Sequence, residues 1–175
     1  MPPSRNDLHA CALHEAGHAV FCSAVPSYAL HRVELHEPDA AGFVAGSTHC
    51  FIRSDANPWD VALICLAGPA AEWGYAGCCY VDSDDFHNAR RALSRTGVRH
   101  QIAWDAATTF VLEERDRVEA VARALIRRRR LDGAAVLAII QAAARGWQSP
   151  PFPPRPAPSS ACIAWAGRGH SVGAA

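Results

Sequence analysis

The stretch His14-Glu15-Ala16-Gly17-His18 constrains this chain more than any other. Two imidazoles four residues apart share a face only where the backbone is helical, so a helix must run through them. The flanking residues agree. Ser4, Asn6 or Asp7 can cap a helix start, apolar residues recur at Leu8, Ala12, Val20 and Phe21, and Pro26 stops the run, which predicts a helix from about Asp7 to Ala24. On it, His14 and His18 can share one Zn2+, with Glu15 beside the ion's open side. Zinc lowers the pKa of a bound water, and a neighbouring carboxylate takes the proton, so the implied reaction is hydrolysis of an amide. With nine His and seven Glu in the chain, chance alone yields such a pattern roughly 0.02 times.

Composition narrows the classes. The chain has 175 residues and is half hydrophobic, enough for one real core. All seventeen basic residues are Arg, which excludes a Walker A loop, a Schiff-base lysine and a kinase lysine together. Formal charge is balanced, with no sign of a nucleic-acid partner. Arg127 to Arg130 read as a solvated helix end complementing the dipole, since they lack interleaved aromatics. Seven Cys without CxxC spacing, and no secretion-signal pattern, predict a reducing cytoplasmic setting. Adjacent Cys78 and Cys79 read as small buried residues. No apolar run approaches the roughly 20 residues that span a bilayer, so no membrane role is expected.

Punctuation gives the layout. Ala29 to Leu35 and Gly42 to Cys50 read as strands of a hairpin joined by Pro38-Asp39-Ala40. Asn57 or Asp55 ahead of Pro58 starts a helix from Trp59 to about Tyr75, apolar on nearly every face and expected against the first. Ser83 should cap a helix to about Thr96 with Asp84 and Asp85 in its first turn, followed by one long helix from Trp104 to Arg130 and another from Asp132 to Ala144. The expectation is an α+β, mostly α domain over residues 1–147, with a small β-hairpin beside the HExxH helix. Residues 148–175, rich in Pro, Gly, Ser and Ala, are expected to be a disordered tail.

A three-ligand zinc site needs one more donor, and His31, His36, His49, His87, Asp85 and Glu72 all qualify chemically. Spacing does not choose among them. Three blocks together do suggest a choice: His14-Glu15-Ala16-Gly17-His18-Ala19, then Leu66-Ala67-Gly68-Pro69-Ala70-Ala71-Glu72, then Ser83-Asp84-Asp85-Phe86. In order and spacing they resemble the peptidase domain of the FtsH family of zinc metalloproteases. Arg130-Leu131-Asp132-Gly133 is similar to that family's C-terminal segment, so the resemblance covers about residues 7 to 145.

The resemblance implies a zinc metallopeptidase acting on peptides or unfolded proteins, with Glu15 as general base and His14, His18 and Asp85 as ligands of one Zn2+. It makes Glu72 a candidate to orient a ligating His. It puts the substrate against an edge strand here represented by Gly42, Phe43, Val44 and Ala45 onward, where an extended peptide would add. The family's membrane segment and AAA+ ATPase are not among these residues, so activity is expected without a built-in motor, alone, as a homo-oligomer or beside a separate ATPase. Pro69 replaces the basic residue usual in the middle block and is expected to kink its helix. The alternative to a peptidase is an inactive or partner-dependent interaction module of the same build; a third possibility is a zinc hydrolase cleaving another amide.

Overall fold

In the computed structural model the described residues are 8–40, 42–77, 79 and 83–144. Six helices and three strands follow in the order α1 (Leu8–Ala24), β1 (Tyr28–Leu35), β2 (Gly46–Ile52), α2 (Pro58–Ala76), α3 (Asp84–Leu93), α4 (His100–Glu113), α5 (Arg115–Arg128), β3 (Arg130–Asp132) and α6 (Gly133–Ala144). The architecture is α+β and mostly α. The sheet is antiparallel in the order β2-β1-β3. None of the described helices is long and apolar enough to cross a membrane.

α1 is the centre. Ala12, Leu13, Ala16, Ala19, Val20 and Cys22 are all buried, because α2, α5 and the sheet each take one of its sides. Its small residues set how near α2 can come: a Cβ on Gly17 would strike the backbone oxygen of Ala67. Both helices are thus held at backbone contact, where dispersion and excluded water act over the whole crossing. α2 starts on a cap that its sequence specifies. Asn57 Oδ1 accepts from Trp59 N–H at 2.9 Å, Pro58 occupies the first turn, and Gly77 closes the far end at φ 73°. The helix runs on through Pro69 without ending there. The ring removes only the donor to Cys65 C=O, and packing on α1, α3 and α4 holds the rest.

β1 alternates from Arg32 onward, after a register shift between Leu30 and Arg32 in its pairing with β2. Val33, Leu35 and Leu131 are buried against the helices, while Arg32, Glu34, Arg130 and Asp132 face away. α5 and α6 close the core on the far side with Val118, Val121, Leu125 and Val136, which are among its most buried residues.

Four expectations need correction. The second strand begins at Gly46 rather than Gly42. Asp39 and Phe43 close a loop in which Asp39 Oδ1 accepts from Phe43 N–H (2.9 Å) and Gly42 sits at φ 79°, outside the extended region. The long fourth helix is two, parted at Glu114, whose carbonyl accepts from both Arg117 N–H and Val118 N–H and whose carboxylate pairs with Arg117. No breaker residue marks that joint. Arg130 is not helical: Arg129 turns into the left-handed region at φ 62°, and Arg130 to Asp132 pair with β1. Ser83 holds the cap position of α3, but its hydroxyl makes no capping bond. Cys78 and the segment 148–175 lie outside the described residues.

Candidate metal centre

Three elements place the site. His14 and His18 project from one face of α1, Glu72 comes from α2, and Asp85 stands in the first turn of α3. Next to Asp85, Phe86 is buried and stacks on Trp104 and His100 of α4 at centroid distances of 5.4 and 5.6 Å. That anchor fixes the start of α3 and hence the carboxylate.

The ligand atoms converge. His14 Nε2 lies 3.0 Å from Asp85 Oδ2 and 3.1 Å from His18 Nε2, and His18 Nε2 lies 3.6 Å from Asp85 Oδ1. His14, His18 and Asp85 form a group whose donor atoms all lie within 4.8 Å of one another.

The outer nitrogens decide what the inner ones carry. His18 Nδ1–H donates to the Ile64 carbonyl at 2.6 Å, and His14 Nδ1–H donates to Glu72 Oε2 at 3.1 Å. With both Nδ1 atoms used as donors, neutral imidazoles present two Nε2 lone pairs to each other, which repel unless a cation lies between them. A proton answers that need in the metal-free site. Burial opposes charge on His14, but hydrogen bonds to Asp85 and Glu72 outweigh it and hold its pKa up at about 10. Burial likewise opposes ionisation of Asp85, yet the bonds from His14 and His18 keep its carboxyl well below the usual range. A divalent metal answers the same need with better geometry, since two imidazoles and one carboxylate leave a fourth position open. The donor set fits such an ion and is not peculiar to zinc.

Glycines make room. A Cβ on Gly68 would fall on the ring of His18, and one on Gly46 would meet Cγ of Glu15. Glu15 is only 7% exposed. Thr48 Oγ1–H donates to Glu15 Oε2 at 2.8 Å and lies 3.1 Å from the Glu15 carbonyl oxygen, leaving Oε1 over Gly46. Helix and strand together wall a cleft of about 870 Å3 that also includes Phe43, Val44, Ala45, Cys50 and Asp84.

Of the residues the sequence nominated, His14, Glu15, His18, Glu72 and Asp85 meet here. Phe43, Val44 and Ala45 line the cleft from a loop rather than a strand; Gly42, in the same loop, is not among the lining residues. The other histidines are elsewhere. His36 and His49 reach Ser47 Oγ at 3.1 and 3.0 Å on the outward face of the sheet, His31 packs on Phe51, and His87 Nδ1–H donates to Ser83 C=O. Sequence reasoning missed Thr48, Gly46, Gly68 and the Ile64 carbonyl. The Gly-Pro pair at 68–69 was the one visible hint.

The thiol of Cys50 lines the cleft, and that of Cys22 is buried on α1. The influence of Cys22 holds the Cys50 thiol down to about 7 against its burial, and the same influence together with burial pushes Cys22 up. No protein-family model matches the chain, and no curated protein sequence matches it.

Proposed function

We propose that the chain is a zinc-dependent metallopeptidase of FtsH-like type, cleaving peptides or unfolded proteins. The observation that carries this reading is the convergence of His14, His18 and Asp85 donors within 4.8 Å beside a buried Glu15. A structural metal site needs no buried free carboxylate next to its open side; a hydrolytic one does. Zinc held by these three residues would supply a Lewis acid and a water acidic enough to ionise near neutral pH.

The chain's own groups do the rest. Glu15 accepts the water's proton at Oε1 while Thr48 keeps Oε2 occupied, and the same carboxyl then returns that proton to the leaving amine nitrogen. Glu72 and the Ile64 carbonyl fix the two rings so that each Nε2 faces the ion. Substrate selection falls to β2. It is a sheet edge, ordered β2-β1-β3, and its first residues line the cleft, so an extended peptide can add there through backbone bonds with little demand on sequence. A motor or a second copy of the chain would serve to deliver such segments.

The test is hydrolysis of casein by the purified chain with zinc, beside Glu15→Gln. Wild-type cleavage that stops with chelator and in the variant, while the variant keeps its zinc, is the expected result. Zinc bound with no cleavage by the wild type would replace the peptidase with a metal-stabilised interaction module.

A further inference from the structure

Charge is divided unevenly between the cleft and the rest of the molecule. Six carboxyl side chains line the cleft, and none of the seventeen Arg of the chain is among its described lining residues. Glu15, Glu72 and Asp85 belong to the metal centre, where Thr48, the two histidines and an ion answer them. The other three have no such role. Asp84 is exposed in the first turn of α3, beside Asp85 but outside the ligand group. Glu37 follows the end of β1. There Leu35 is buried and His36 faces out, and His36 N–H still donates to the Ala45 carbonyl at 2.8 Å, so the strand alternation turns Glu37 inward to the cleft. Asp39 comes from the same loop, its Oδ1 accepting from Phe43 N–H. Acid thus stands on the helical side and on the loop side alike. Among the described residues neither Glu37 nor Asp84 is in an ion pair. The Arg residues that do pair lie elsewhere, Arg32 on the outward face of the sheet and Arg115 and Arg123 on α5.

We propose that the cleft selects basic segments, extended peptides that carry Arg or Lys beside the bond presented to the metal centre, with Glu37 and Asp84 as the residues that set this preference. The proposal rests on the reading of this cleft as a peptidase site and names its substrate class. A zinc ion would cancel two of the six formal negative charges, so the loaded cleft stays negative. Like charges on low-dielectric walls focus their field into a concave site, which raises the capture rate of an opposite charge by roughly 10- to 1,000-fold. A docking cation meets carboxylates with no partner to give up, and an acidic segment meets repulsion. Backbone pairing along β2 leaves the side chains unspecified; the acids beside it supply the choice.

The experiment uses fluorescent peptides identical except at two central positions, which are Arg, Gln or Glu. Their binding to the zinc-loaded full chain carrying Glu15→Gln is measured by anisotropy, and their cleavage by the wild type is followed in parallel. At low salt the Arg peptide should bind roughly tenfold tighter than the Gln peptide and the Glu peptide weaker still, with the gap closing at about 0.5 M salt. Adding Glu37→Gln and Asp84→Asn, both at exposed positions, should cut the Arg preference about threefold or more at unchanged zinc content. Glu113→Gln, an exposed acid outside the cleft, should leave it intact. No binding, equal affinity for the Arg and Gln peptides, or a preference that survives in the double variant overturns the proposal. Wild-type cleavage of all three peptides with one kcat/KM also overturns it while keeping the peptidase. No cleavage of any, with an Arg preference in binding that the double variant loses, ends the peptidase reading and leaves the cleft as a site for basic segments.

Discussion

The two walls of the cleft are built on opposite principles. The α1–α2 wall is a helix crossing at backbone contact, where Gly17 meets the Ala67 carbonyl oxygen and each ligand histidine has its outer nitrogen tied to α2. The β2 wall is an edge strand whose residues from 46 to 50 are only half-buried. It touches the site through Thr48 and Gly46, and both of those act on Glu15. The difference assigns separate jobs. On the proposed reading the helical wall, completed by α3, would hold the metal ligands, and the strand would hold the base and receive substrate. Damage to one should spare the other's task.

The largest break comes from the ligands. Asp85→Ala should take bound zinc from one ion per chain to almost none by elemental analysis, while Asp84→Ala retains it, because a two-histidine site is open on half its sphere. Equal retention in both would remove Asp85 from the ligand set. Gly68→Ala tests the same wall without touching a ligand. Its methyl would overlap His18, so zinc affinity should drop on the order of 100-fold, the upper range for a disturbed support of a metal ligand.

The strand wall should respond in the opposite way. Thr48→Val is expected to lower kcat roughly tenfold, about what losing one hydrogen bond to a charged group costs. KM and zinc content should stay unchanged, and Thr48→Ser should restore the rate. A loss of zinc in Thr48→Val would mean the two walls are not separable. The smallest effect is on stability of the chelated protein. His14 has its pKa raised from about 6.5 unfolded to about 10 folded, so its contribution is complete below 6.5 and is lost as pH rises towards 10. The melting temperature without metal should therefore decline across that interval. In the zinc-loaded protein His14 is already neutral, and this decline should be absent.

What could be read from the chain depended on how local each signal was. α1 was legible because His14 and His18 require helical periodicity, and α2 because Asn57-Pro58 and Gly77 punctuate its ends. The break at Glu114 and the three-residue β3 were not. The first carries no Gly or Pro, and the second exists only because β1 offers it an edge at Arg32 to Glu34. The site divides along the same line. Two ligands and the base sit in five consecutive residues. Asp85 could be chosen only through resemblance to a family block. Thr48 looked like any threonine of a strand until the register placed it under Glu15, and the Ile64 carbonyl is a backbone atom that no side chain announces.

His14 and Asp85 are 71 residues apart along the chain and 3.0 Å apart in space. An ion held between them would close a loop through β1, β2 and α2, so on unfolding it would act as a removable cross-link. By the chain-entropy argument used for disulfides, a closure of that span is worth about 4 kcal/mol. Free zinc concentration would thereby govern how long the molecule survives as a folded object as well as whether it can act. Every ligand lies before residue 86, so the closure needs neither α5 nor α6. The metal would lock the segment from α1 to α3 and leave α5 and α6 to hold by packing and by the pairing of β3 with β1.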